Sequence, residues 1–148
     1  MTTTRVDFYV LPGQSQPERF ACVLAGKAWQ QGNMTCLHTT SRESAEILDD
    51  LLWTFRDISF IPHTLQDDTG DTESPVLIGW EDQYPDNAGV LINLTPEIPE
   101  FAGRFSRIVE IVAGDETDRQ RARDRFRAYR ERGYDMHDHK LDSDHVPS

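Results

Sequence analysis

Apolar positions along the first 55 residues switch between two periods. Val6 to Leu11 is a short, largely apolar run closed by Pro12-Gly13, which reads as a buried strand. Beyond it, Phe20, Val23, Leu24 and Ala28 recur at helical spacing. Ser15, with Pro17 in the first turn and Glu18 three residues on, makes the start signal, and Gly32 suits the stop. Met34 to Leu37 reads as a second strand. Thr40 and Glu43 form a capping-box arrangement ahead of Ile47, Leu48, Leu51, Leu52 and Phe55, the apolar stripe of a second helix. Strand–helix–strand–helix with short connections, and strands apolar enough to be covered on both faces, predicts a parallel sheet with right-handed crossovers.

The second half is more broken. Residues 64–75 are polar and acidic and read as an exposed loop. Val76 to Trp80 and Val90 to Leu94 are short strands, Thr95 to Phe101 is a proline-containing turn, and Phe105 to Val112 is a strand with alternating burial. Asp115 is placed to cap a last helix that runs to about Arg132 and stops at Gly133. The expected organisation is one α/β domain over residues 1–134 and a polar, disordered C-terminal tail over 135–148.

Charge changes this picture. The chain has 148 residues and a formal net charge of −11. Such a field repels phosphate and excludes a basic nucleic-acid coat protein. No apolar run is long enough to span a membrane, and Met1 to Asp7 lacks the layout of a signal peptide, so a cytoplasmic protein is expected. Cys22 and Cys36 have no C-x-x-C spacing and read as reduced, packed thiols.

Enzymatic motifs are missing from the sequence. Gly13 alone is too little for a dinucleotide fingerprint, and neither a P-loop nor a G-x-S-x-G elbow occurs. His38 reads as the end of a strand, and His63 is isolated. His137, His139 and His145 fall in the expected tail, where no preorganised metal geometry would exist. No catalytic residue, metal or cofactor is expected.

The concentrated feature is the last helix. Seven of the 13 arginines lie between Arg119 and Arg132, and with Asp124 and Glu131 that stretch carries +5 against −16 for the rest. With Arg119 at the origin of a helical wheel, Arg130, Arg123 and Arg127 follow at about 20°, 40° and 80°. Ala122 and Tyr129 define the core-facing stripe, Phe126 sits on the seam between stripe and arginines, and Arg121, Arg125 and Arg132 fall on the far side. Either these arginines pair with the protein's own acidic surface, or they bind an acidic ligand with an apolar anchor. For the second, guanidinium forks would grip carboxylates. Phe126 would wall an apolar slot, with Ile111 and Val112 opposite. Direct single-stranded nucleic-acid binding by the same helix is the alternative.

Several stretches together resemble the chi subunit of bacterial DNA polymerase III holoenzyme. They are Val6-Asp-Phe-Tyr-Val-Leu, Ala28-Trp29, Leu51-Leu-Trp-Thr-Phe, Ser59-Phe-Ile-Pro-His-Thr-Leu, Val76-Leu-Ile-Gly-Trp, Leu91-Ile-Asn-Leu, and Ala122-Arg-Asp-Arg-Phe-Arg-Ala-Tyr-Arg followed by Gly133. The resemblance runs in order over nearly the whole chain. It implies a three-layer Rossmann-like fold, with a mostly parallel central sheet flanked by helices, that serves as a non-catalytic adaptor in the clamp-loader assembly. One implied partner is the acidic C-terminal tail of single-stranded-DNA-binding protein, held by Val112, Arg119, Arg123, Phe126 and Arg127. Arg123 would take the terminal carboxylate. The other is the psi subunit, held by Trp53, Phe60, Pro62 and His63. Phe126 stands where the family can carry tyrosine, and Ala113-Gly114 where it can carry bulkier residues.

Overall fold

The computed structural model describes residues 4–12, 16–54, 63–65, 76–81, 84, 89–113 and 116–141, the side chains of 54, 63 and 64 excepted. Within them the chain builds seven strands and three α-helices: β1 (Arg5–Val10), α1 (Pro17–Gln30), β2 (Thr35–His38), α2 (Arg42–Thr54), β3 (His63–Leu65), β4 (Val76–Gly79), β5 (Val90–Asn93), β6 (Arg107–Val112), α3 (Glu116–Glu131) and β7 (Asp135–Lys140). The strands form one sheet in the order β3-β4-β2-β5-β6-β1-β7. Every pairing is parallel, so the sheet expected to be mostly parallel is wholly so among the described residues.

Strand alternation sorts the core into two layers. Val6, Phe8, Leu91, Ile108 and Val112 face α3, whose Ala122 and Tyr129 join their cluster. Leu37, Ile78, Val90, Ile92 and Val109 face the other way, onto Ala21, Cys22 and Ala25 of α1 and Ala45, Leu48 and Leu52 of α2. Both cysteines are buried free thiols, and burial pushes each up to about 12.

Helix termini mostly follow the sequence signals. Pro17 opens α1, where its missing N–H costs nothing. After α1 and α3 the chain turns back through Gly32 (φ +82°) and Gly133 (φ +84°), left-handed positions that a Cβ would strain. The α2 cap differs by one residue: the Ser44 N–H donates to Ser41 Oγ at 3.2 Å, so Ser41, not Thr40, closes that helix. Ser15 and Asp115 lie outside the described residues.

Two elements run against expectation. Residues 63–65, read partly as loop, pair with β4 as an edge strand. Residues 135–140, expected to be disordered, form β7 along β1, with Arg5 level with Asp135 and Val10 with Lys140. Met136, its one apolar side chain, packs against the α3-side cluster, and the rest of β7 is held by its backbone ladder and by one polar anchor. His139 Nε2 lies 2.8 Å from the buried Asp7 carboxylate, and its ring stacks on Tyr9 with centroids 4.6 Å apart. Residues 142–148 lie outside the described part.

Candidate functional site

α3 is the crossover helix between β6 and β7, and it holds two kinds of arginine. Arg125 points inward. Its Nε donates to Glu110 Oε1 at 3.0 Å and its Nη1 to the Pro96 carbonyl at 3.0 Å, leaving the side chain 11% exposed. Glu110, in the middle of β6, is fully buried and also accepts from the Tyr129 hydroxyl at 2.7 Å and from Asn93 Nδ2 at 2.8 Å. Burial drives the Glu110 carboxyl upward, against the pull of Arg125, Asn93 and Tyr129. The Tyr129 phenol is raised by burial and by the Glu110 charge. The wheel set Arg125 on the far side from Arg119, at the edge of the core-facing stripe, without giving it a partner. The structure supplies that partner: a carboxylate at an inward position of β6 draws Arg125 under the helix.

Arg119, Arg123 and Arg127 are exposed on the outer face. Arg123 Nη1 reaches Glu116 Oε1 at 3.2 Å and Gln120 Oε1 at 3.3 Å, contacts within its own helix at the surface. Arg119 and Arg127 make no ion pair with a described residue. Such surface pairs contribute little to stability. Beside them, half-buried Phe126 rests on Phe8, ring centroids 5.2 Å apart, in the cluster that includes Val112. The geometry thus brings Val112, Phe126 and the three outward arginines to one side of the sheet. Ile111 does not join them, because alternation turns it to the α1–α2 face.

Of the other expected contact residues, Trp53 lies in the last turn of α2 and is 59% exposed, and His63 begins β3. Phe60 and Pro62 lie outside the described residues. His38 ends β2 buried, its Nδ1 2.8 Å from the Tyr84 hydroxyl.

A cleft of about 380 Å³ opens at the carboxyl ends of β2, β5 and β6, where open α/β sheets bind ligands. Its lining includes Arg121 and Arg125 but also Glu18 and Asp118, so it has no preference for an anion. Arg125 is moreover committed to Glu110. Among the described residues no cluster of three or more His, Cys, Asp or Glu could hold a metal, and no helix is long and apolar enough to cross a membrane.

An all-parallel three-layer α/β domain with a polarised arginine helix is a broad class, and comparison with known proteins narrows it. Residues 3–137 match the family described as "DNA polymerase III chi subunit, HolC". The DNA polymerase III subunit chi of Pseudomonas aeruginosa is 46% identical over 140 residues, covering 93% of this chain and 97% of that protein. Its counterpart in Escherichia coli is 30% identical over 125 residues, covering 84% and 85%. That of Haemophilus influenzae is 30% identical over 120 residues, covering 80% and 83%. The chain belongs to the DNA polymerase III chi subunit family. In fold alone it is also similar to T4 UvsW, with a TM-score of 0.67 at 8% identity over 95% of this chain and 42% of UvsW.

Proposed function

We propose that this chi-family subunit is a non-catalytic adaptor, which binds the acidic C-terminal tail of single-stranded-DNA-binding protein on α3 and the psi subunit on the side marked by Trp53. The observation that carries the reading is the partition of α3. Arg125 is spent on the core, whereas Arg119, Arg123 and Arg127 stand outward beside a half-buried aromatic on an otherwise acidic protein. An acidic chain ending in an apolar residue complements that face. Its terminal side chain would lie against Phe126 and Val112, its carboxylate on Arg123, and its upstream acids near Arg119 and Arg127. A tail displayed on many copies of a coating protein would raise the local concentration of the polymerase assembly.

Calorimetric titration of a tail peptide into Arg123→Ala and Phe126→Ala tests the tail site. Each is expected to lose on the order of 1–3 kcal/mol of binding; unchanged affinity in both would remove the site. For the second partner, Trp53→Ala is expected to weaken co-purification with psi while leaving tail binding intact. Exposed large aromatics of this kind are typical interface anchors.

A further inference from the structure

The three outward arginines of α3 are not equally available. Arg119 and Arg127 have no ion pair with a described residue, whereas Arg123 Nη1 donates to Glu116 Oε1 at 3.2 Å and to Gln120 Oε1 at 3.3 Å. Gln120 is itself oriented by its Nε2, which donates to Asp124 Oδ1 at 3.3 Å, so its carbonyl oxygen is the atom left to face Arg123. Of these three cations, the one suited to a ligand's terminal carboxylate is the one to which the chain supplies a carboxylate of its own.

The spacing along α3 makes that contact. With Arg119 again at the origin of the wheel, Glu116 falls at about 60°, between Arg123 and Arg127. Long helical side chains lean toward the helix N-terminus, so Arg123 lies back over the turn that carries Gln120 and reaches Glu116. Glu116 is the first residue of α3, where the partial positive charge of the helix end favours an anion. Both side chains of the pair are exposed, and Glu116 has no other hydrogen bond or ion pair with a described residue. Unlike Glu110, it holds nothing in the core together.

We propose that Glu116 is a built-in competitor for the ligand's terminal carboxylate: it holds Arg123 Nη1 in the free protein and gives it up when an acidic chain docks. This role rests on the tail-binding reading and adds a regulation of the same site. Both claimants are carboxylates and one guanidinium serves them, so an incoming chain end replaces an equivalent contact instead of filling an empty one. The net gain from its carboxylate is therefore small, and the apolar end against Phe126 and Val112 decides whether the chain stays. An exposed pair of this type shifts an equilibrium by up to about five-fold. That loosens the contact without abolishing it, which suits a subunit that exchanges between many copies of one tail.

Fluorescence anisotropy on the full chain tests this, with a labelled acidic peptide ending in Pro-Phe as free acid and as C-terminal amide. Removing a negative charge from α3 attracts any acidic peptide, but removing a competitor for the chain end helps the free acid alone. At low salt, Glu116→Gln is expected to bind the free acid about two- to five-fold more tightly than the parent does, and to raise the acid-to-amide affinity ratio at least about two-fold. The gain should fade as salt rises. Glu131→Gln, the same charge change in the last turn of α3, is expected to shift both peptides equally and leave the ratio alone. Glu116 is exposed, so its variant keeps the fold, and a circular dichroism spectrum verifies this. An unchanged or lower ratio in Glu116→Gln, while the parent binds the free acid, overturns the role of Glu116 and leaves the tail site standing. No binding of the free acid by the parent overturns the tail site and this role with it.

Discussion

Arg125 and Arg123 are two residues apart on α3, with side chains 11% and 58% exposed. Arg125 meets a carboxylate that has no access to water and would otherwise be stranded in the core. Arg123 meets Glu116 and Gln120 at the surface, contacts that water replaces at little cost. The same residue type is a core component at one position and a surface reagent at the other. The difference comes from what the neighbouring strand places beneath, Glu110 for Arg125 and solvent for Arg123.

The sharpest way to break that comparison is to remove each arginine. Arg125→Ala leaves Glu110 buried and unpaired, and is expected to cost about 3–5 kcal/mol of folding stability in denaturant unfolding. Replacing the pair together, Arg125→Met with Glu110→Leu, is expected to recover most of that loss, because the stranded charge goes with its partner. Arg123→Ala and Arg127→Ala are expected to stay within about 0.5 kcal/mol of the parent. A large stability loss in either outward variant would end the distinction.

A second carboxylate sharpens it from the opposite face. Asp7 is buried, and burial alone would raise its carboxyl, but Arg5, His139 and Arg107 bring it down to about 2. A depressed acid contributes stability above its unfolded value, near 3.9, and that contribution is lost as pH falls through about 2. Acid unfolding of the parent should therefore steepen between roughly pH 4 and pH 2, and in Asp7→Asn this part of the profile should flatten. Arg119→Ala, by contrast, should leave the acid profile superimposable on that of the parent. Among the binding effects the smallest is on tail affinity in Arg119→Ala or Arg127→Ala, under about 1 kcal/mol each at moderate salt and vanishing as salt rises.

How much of this was legible in the sequence follows from which forces write themselves into residue patterns. β1, α1, β2 and α2 bury apolar stripes against one another, so their periods name them. On α3, Ala122 and Tyr129 give the inward direction correctly, and with it the outward set Arg119, Arg123 and Arg127. β7 is not legible because Asp-Met-His-Asp-His-Lys has one apolar residue; Met136 on the core, a backbone ladder and the Asp7–His139 contact hold it, and none of these makes a periodicity. β3 is three residues long at the other edge, too short for a pattern. The inward role of Arg125 did leave a signal, a glutamate interrupting the apolar run Arg-Ile-Val-Glu-Ile-Val of β6. A carboxylate at an inward strand position needs a cation, and the neighbouring helix supplies it.

The central claim is that the outward arginines and Phe126 form a site for an acidic chain with a free apolar end. Fluorescence anisotropy with a labelled acidic peptide ending in Pro-Phe, as free acid and as C-terminal amide, tests it most directly. The account predicts salt-sensitive binding of the free acid that is largely lost on amidation. Equal binding of the two peptides, or none of either, would contradict it.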